Sequence, residues 1–203
     1  MTDVAAIVLC GGTSRRFGGI DKTNQPFGAA TVLDHLLTQL PAEWPVACVG
    51  EPREVVRPVG RALVWTREEP IFAGPVAGIA AGLAAHTADM PIVVVLAGDQ
   101  PFAGEVALDL VTALRTADPS IDGVAAQQGD GRPQLLLAAY RRNPLTALLT
   151  GDLTDAGVYR TLAPLRLASV PVQARATLDV DAPADLERAR DVQRGQTEAA
   201  AGG

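Results

Sequence analysis

The feature that most constrains the fold is a series of short, continuous apolar runs separated by stretches with helical patterns. The runs lie at residues 4–10, 46–50, 62–65 and 92–97, and the last of them, IVVVLA, is apolar at every position. Runs of this length are typical of strands that a parallel sheet buries on both faces. Strands that alternate with helices predict βαβ crossovers and a mostly parallel sheet.

Helical patterns lie between these runs, at residues 31–40, 75–85 and 105–117. Thr31 is predicted to cap the first helix, with Asp34 three residues further on, and Pro75 suits a first helical position. The second half is more mixed: the patterns predict paired strands at 123–128 and 134–140, a helix at 143–149, strands at 166–171 and 177–180, and a closing helix at 183–194. We therefore expect an α/β protein with one domain, residues 1–194, and a disordered tail, residues 195–203.

Composition limits the classes of partner. Lys plus Arg number 17 and Asp plus Glu number 23, which gives a formal net charge of −6 and argues against a nucleic-acid binder. No apolar run reaches the roughly 18 residues of a membrane span, and the start of the chain lacks the basic region of a signal peptide. The two cysteines, Cys10 and Cys48, are too few for a disulfide framework and indicate a reducing cytoplasm. A bound anion therefore needs a local site and a metal ion.

Such a local site is present in the glycine-rich segment LCGGTSRRFGGIDK at residues 9–22, directly after the first predicted strand. Glycines in this position allow the backbone to approach a phosphate closely. Hydroxyl and cationic groups accompany them: the segment contains Gly11, Gly12, Thr13, Ser14, Arg15, Arg16, Gly18, Gly19 and Lys22. Neither the Walker pattern nor the dinucleotide pattern GxGxxG is matched, so the segment predicts a phosphate-binding loop of another kind.

The remaining pattern, GGxSxRxGGxDK, resembles the signature of the molybdenum cofactor guanylyltransferases, which are nucleotidyltransferases with a Rossmann-like fold. Four later segments resemble the same family in the same order: GPVAGI at 74–79, LAGDQPF at 96–102, RPQLLLAAY at 132–140 and LDVDAPADL at 178–186. The chain departs from the family pattern at Cys10 and at Phe17. It also departs from it at the stretch Gly50-Glu51-Pro52, in which relatives often carry an asparagine. The resemblance implies a three-layer α/β/α fold with a mostly parallel sheet and a mixed C-terminal part.

The resemblance also implies an activity: transfer of GMP from GTP to the terminal phosphate of molybdopterin, with release of pyrophosphate. It implies Arg15, Lys22 and Asp99 as catalytic residues, and Mg²⁺ held by Asp99 and Asp181. The implied substrate-binding residues are Leu9, Cys10, Gly11, Gly12, Thr13, Ser14, Arg16, Gly18, Gly19, Lys22, Glu68, Gly74 and Asp99. The expected partners are GTP, the molybdopterin cofactor and molybdoenzyme maturation proteins, with no nucleic acid and no membrane.

Several alternatives remain open at this stage. Asp179 and Asp181 share one face of the predicted strand and either could assist metal or phosphate binding, while Asp181 also suits a helix N-cap. Glu68 could equally be a solvated charge. For the whole protein, the alternatives are a nucleotidyltransferase that uses CTP or a sugar or cofactor phosphate, and a non-catalytic nucleotide-binding module.

Overall fold

A seven-stranded sheet lies between two layers of helices in the computed structural model of the chain, which describes residues 3–12, 21–56, 60–86, 90–129 and 131–201. The strands within these ranges are β1 Val4–Leu9, β2 Pro26–Phe27, β3 Ala30–Thr31, β4 Val46–Val49, β5 Leu63–Thr66, β6 Ile92–Ala97, β7 Gly123–Gln127, β8 Pro133–Arg141 and β9 Leu167–Pro171. The helices are α1 Val32–Gln39, α2 Pro75–Ala85, α3 Ala107–Thr116, α4 Arg142–Leu148, α5 Val158–Leu162 and α6 Pro183–Ala201.

The order of strands in the large sheet is β5-β4-β1-β6-β8-β7-β9. β1 pairs in parallel with both β4 and β6, so that Leu9 lies opposite Val49 on one side and Ala97 on the other. β8 is antiparallel to β6 and β7. The carboxyl ends of β1, β4 and β6 therefore meet at one edge of the sheet, which is where ligands bind in open α/β folds. The first and fourth apolar runs are thus neighbouring parallel strands, as a mostly parallel sheet allows.

Each face of the sheet is covered by its own hydrophobic cluster. On one face, leucines of α1 and α3 pack on Val4, Val8 and Val94, and on the other face α2, α4 and α5 pack on Ile7 and Val95. The fully apolar strand β6 thus contributes to both clusters, as its sequence predicts. Within the described part of the chain, no helix is long and apolar enough to cross a membrane.

Some elements differ from the sequence prediction. The expected strand at 177–180 is wrong, because a 3-10 turn at Ala174–Thr177 leads into an extended segment that joins no sheet. The short hairpin β2–β3 and the helix α5 were not predicted. The closing helix α6 continues to Ala201 instead of ending at Arg194. The predicted capping of α1 is confirmed, since Thr31 and Asp34 form a reciprocal capping box.

The glycines of α2 permit close packing against the sheet, and this leads to a prediction for Gly82→Ala. A Cβ atom at Gly82 would lie 2.5 Å from Cγ2 of Ile7, which is completely buried. The free-energy cost of overpacking should exceed the stabilisation from alanine's higher helix propensity. We therefore expect the free energy of unfolding, measured by urea denaturation, to fall by roughly 1–2 kcal/mol. Gly195→Ala in α6 is the matched control, because a Cβ there meets nothing within 4 Å and should stabilise the protein.

Candidate active site

A pocket of 290 Å³ opens where the carboxyl ends of β1 and β6 meet. Gly11 and Gly12, at the start of the glycine-rich segment, form one wall, and Asp99 follows β6 on another. Glu68 and Gly74, from the loop before α2, also line the pocket. The pocket thus combines backbone that a phosphate can approach with an apolar interior contributed by Leu9, Val49, Phe72, Pro75 and Leu136.

A second pocket, of 270 Å³, adjoins the first and shares Ala97, Asp99 and Leu136 with it. Its other polar lining residues are Gln100, Gln134, Tyr159, Asp179 and Asp181. Two ligands, one in each pocket, would meet at the carboxylate of Asp99. This arrangement suits a reaction that transfers a group between two bound molecules.

Lys22 contacts two carboxylates of the pocket walls, those of Asp99 and Asp181. Its Nζ forms an ion pair with Oδ2 of Asp99 and lies 2.7 Å from Oδ1 of Asp181. Burial by itself would lower the pKa of Lys22, but the two carboxylates more than offset this and raise it. Lys22 is also the only lysine in the sequence, since the other basic residues among the 17 are arginines. A compact ammonium fits between two carboxylates where a planar guanidinium would not.

The segment that carries Asp179 and Asp181 is docked directly on the end of β6. The backbone N–H of Val180 donates to the carbonyl oxygen of Asp99 at 2.9 Å, and the Val180 side chain is completely buried. Asp179 accepts a hydrogen bond of 2.6 Å from Nε2 of Gln100. Burial raises the pKa of Asp179, and the nearby negative charges of Asp99 and Asp181 act in the same direction. The two aspartates therefore reach the site from an extended segment, without the predicted strand.

Arg53 holds the backbone around Lys22 in place. Its Nη1 pairs with Oδ2 of Asp21 at 2.8 Å, and its guanidinium lies over the ring of Trp65, 5.2 Å from the centroid. Asp21 in turn accepts hydrogen bonds from the backbone N–H and the hydroxyl of Thr23. Sequence reasoning missed Arg53, because its partners are about thirty residues before it or on the next strand and no local pattern marks them.

The predicted site residues fall into three groups. Leu9, Gly11, Gly12, Glu68, Gly74 and Asp99 line the first pocket, and Lys22 pairs with Asp99 and with Asp181, which lines the second. The side chain of Cys10 instead lies in the core, where burial raises the pKa of its thiol. Thr13, Ser14, Arg15, Arg16, Gly18 and Gly19 lie outside the described residues. At the start of α6, Asp185 accepts from the N–H groups of Asp181 and Ala182, and the helix-cap alternative for Asp181 stays a prediction.

The donor set fits a divalent cation. Asp99 and Asp181 converge on one positive charge, that of Lys22, so this position already accommodates a cation. The described residues contain no group of three or more His, Cys, Asp or Glu side chains placed to hold a metal. Two carboxylates with phosphate oxygens as further ligands are the arrangement that Mg²⁺ commonly takes. A metal here would therefore depend on a phosphate-bearing ligand to complete its shell.

Comparison with known proteins agrees with this geometry. The MobA-like NTP transferase domain family matches residues 6–170. A protein of Mesorhizobium japonicum named molybdenum cofactor guanylyltransferase is 38% identical over 159 residues, which cover 76% of this chain and 70% of the relative.

Two solved structures show how widely the fold is used. The molybdopterin-guanine dinucleotide biosynthesis protein A of Archaeoglobus fulgidus has a TM-score of 0.71 at 21% identity, covering 94% of this chain and 99% of that one. The 2-C-methyl-D-erythritol 4-phosphate cytidylyltransferase of Thermus thermophilus has a TM-score of 0.60 at 20% identity, covering 93% and 98%. The fold is thus shared by proteins named for different bases, and the family match over most of the chain decides the assignment. The chain belongs to the MobA-like NTP transferase family, and it is a nucleotidyltransferase.

Proposed function

We propose that this protein transfers GMP from GTP to the terminal phosphate of molybdopterin and releases pyrophosphate. The observation that carries the proposal is the pair of adjoining pockets that meet at Asp99 and Lys22, one beside the glycine-rich segment and one beside Asp179 and Asp181. The first suits the nucleotide and the second the acceptor. The name of the Mesorhizobium japonicum relative supports the choice of GTP and of the molybdenum cofactor.

The transfer itself needs little from the protein beyond positioning and charge. A terminal phosphate oxygen of the acceptor attacks the α-phosphorus of GTP, a new P–O bond forms, and the bond to the bridging oxygen breaks so that pyrophosphate leaves with its electron pair. The nucleophile is already an anion, so no strong general base is required. Lys22, together with Arg15 and Arg16 of the glycine-rich segment, neutralises the triphosphate in this proposal.

Mg²⁺ is the proposed metal, with Asp99 and Asp181 as its protein ligands. When bound, it supplies positive charge to the phosphate oxygens and lowers the repulsion between the triphosphate and these carboxylates. With a metal held by Asp99 and Asp181, Lys22 would be free to contact the phosphates instead of the two carboxylates.

Glu68 is proposed to recognise the guanine base. Its carboxylate is buried in the wall of the nucleotide pocket, and one of its oxygens, Oε1, accepts a hydrogen bond of 3.0 Å from the N–H of Phe72. A carboxylate has a second oxygen for ligands, and guanine presents N1–H and N2–H donors on one edge. Cytosine lacks this paired donor edge, so the residue favours GTP over CTP.

Two measurements test the base preference. With purified molybdopterin and each of the four nucleoside triphosphates, we expect pyrophosphate release to be at least about tenfold faster with GTP than with CTP, a difference of about 1.4 kcal/mol. Glu68→Gln keeps one oxygen that accepts from Phe72 but replaces the other carboxylate oxygen by an NH₂ donor. This donor cannot accept from guanine, so kcat/KM for GTP should fall roughly tenfold or more. The matched control is Glu69→Gln, because Glu69 is exposed and its change should leave the rate unaltered.

The outcomes separate the proposal from its alternatives. Equal rates with GTP and CTP would leave a nucleotidyltransferase but remove the guanine assignment. Pyrophosphate release only with a sugar phosphate would replace molybdopterin as the acceptor, and nucleotide binding without any turnover would indicate a non-catalytic module.

The cellular setting is part of the same proposal. We infer a cytoplasmic protein that hands its product to molybdoenzyme maturation proteins and has no nucleic-acid or membrane partner. The formal net charge of −6 and the two buried free cysteines, Cys10 and Cys48, support this inference.

A further inference from the structure

Phe72 has an unusual combination of backbone geometry and exposure. Its φ angle is 63°, in the left-handed region that a bulky aromatic residue rarely adopts. Its side chain is also 48% exposed, although it belongs to a residue type that usually lies in the core. Backbone strain of this kind persists only where the surroundings impose it, and it concentrates at ligand sites. The position of Phe72 therefore needs an explanation other than packing.

The surroundings that hold Phe72 belong to the nucleotide pocket. Phe72 lines the 290 Å³ pocket together with Glu68 and Gly74. Its backbone N–H donates to Oε1 of Glu68 at 3.0 Å, so the same carboxylate that faces the pocket also fixes the turn. Gly74, with φ of 95°, is the N-cap of α2 two residues later. The loop thus presents an aromatic side chain at the mouth of the pocket.

A cation covers the ring of Phe72. The guanidinium of Arg67 lies 5.2 Å from the ring centroid, and Nη1 of Arg67 pairs with Oε2 of Glu51 at 2.6 Å. A planar ring has two faces, and half of this side chain is exposed to solvent. An aromatic ring backed by a guanidinium is a surface on which nucleobases stack, whatever their hydrogen-bonding pattern.

We propose that Phe72 is the stacking platform for the purine base of the bound nucleotide, with Arg67 supporting the ring from its other face. The inference rests on the proposed function, because it assigns a role within the GTP pocket. Glu51 acts on the platform indirectly, because its ion pair with Arg67 holds the guanidinium over the ring of Phe72.

The first test separates base binding from phosphate binding. Dissociation constants for GTP and for inorganic triphosphate, both with Mg²⁺, are measured by titration calorimetry on the wild-type protein, Phe72→Leu and Ile71→Ala. We expect Phe72→Leu to bind GTP about tenfold more weakly and triphosphate within twofold of wild type. Ile71→Ala is the matched control, because Ile71 is the exposed neighbour, at 57%, and should leave both constants unchanged.

A second variant distinguishes a platform from a structural residue. Asparagine tolerates the left-handed region, so Phe72→Asn relieves the backbone strain. We expect the melting temperature to stay equal or rise while GTP affinity falls about tenfold. A structural role predicts the opposite, with lower stability and a parallel loss of affinity for both ligands.

Each outcome decides a different claim. Wild-type affinity for GTP in both Phe72 variants overturns the platform and leaves the proposed function intact, and so does an equal loss for GTP and triphosphate. A wild-type protein that binds CTP but not GTP overturns the proposed function and the purine platform together. Selective loss of GTP affinity in both variants, with stability retained, supports the platform.

Discussion

Asp99→Asn is expected to lower the rate of nucleotidyl transfer by about a thousandfold while the fold survives. Asp99 lines both pockets on the turn that follows β6, whose central residues are completely buried, and its carboxylate contacts Lys22. The change keeps the size of the side chain and removes its negative charge, and with it a ligand for the proposed metal. Loss of one preorganised charged group at a reaction centre typically lowers the reaction rate by a factor of about 10²–10³.

The measurement is the initial rate of pyrophosphate release as a function of Mg²⁺ concentration. Thermal melting followed by circular dichroism is the folding control, and the free energy of unfolding should change by no more than about 1 kcal/mol, because the residue is partly exposed. Asp109→Asn is the matched variant, since Asp109 is exposed on α3 and the same chemical change there should not affect the rate. A folded Asp99→Asn protein with a near-normal rate and an unchanged Mg²⁺ dependence would move the metal to Asp179 or Asp181.

Sequence patterns could predict the elements that position this site, because local chemistry determines them. The bounds of β6 agree with the prediction at both ends, since a run of six apolar residues that is mostly β-branched favours a buried strand over a helix. The start of α2 at Pro75 and the capping box at Thr31 follow from single residues with strong positional preferences. The sequence could also place Asp99 and Lys22 at the same edge of the sheet, because the carboxyl ends of adjacent parallel strands lie side by side.

The remaining features depend on contacts that are distant in sequence. The segment at 177–180 alternates in polarity like a strand, but Val180 packs into a separate cluster with Phe27 and Phe102 and its N–H pairs with Asp99. The ion pair of Lys22 and Asp181 joins residues that are 159 positions apart. Phe72 could not be singled out either, since nothing in the local sequence requires an aromatic residue to take a positive φ.

Lys22→Met is expected to have two effects of opposite sign. The loss of the ammonium should lower kcat/KM for GTP by about 10²–10³, because the triphosphate loses a cationic partner in a partly buried site. The same change leaves Asp99 and Asp181 facing each other without a cation, so the affinity for Mn²⁺ in the absence of nucleotide should rise. A purely structural lysine would lower stability and would not increase metal affinity.

Both effects can be measured by comparing three proteins. Mn²⁺ binding is followed by electron paramagnetic resonance without GTP, and turnover by pyrophosphate release, for wild type, Lys22→Met and Lys22→Arg. The arginine variant keeps the charge, but its planar guanidinium does not fit between the two carboxylates, so it should fall between wild type and Lys22→Met in both Mn²⁺ binding and turnover.

Because Lys22 is the only lysine, reductive methylation modifies this side chain and the chain's N-terminal amine alone, and the site of modification can be resolved by peptide mass analysis. In the proposed function the ammonium is in contact with phosphates once GTP is bound, so GTP with Mg²⁺ should slow methylation of Lys22 and leave that of the N-terminal amine unchanged. Methylation at the same rate with and without GTP, combined with normal turnover of Lys22→Met, would show that Lys22 only links the two aspartates and takes no part in binding the nucleotide.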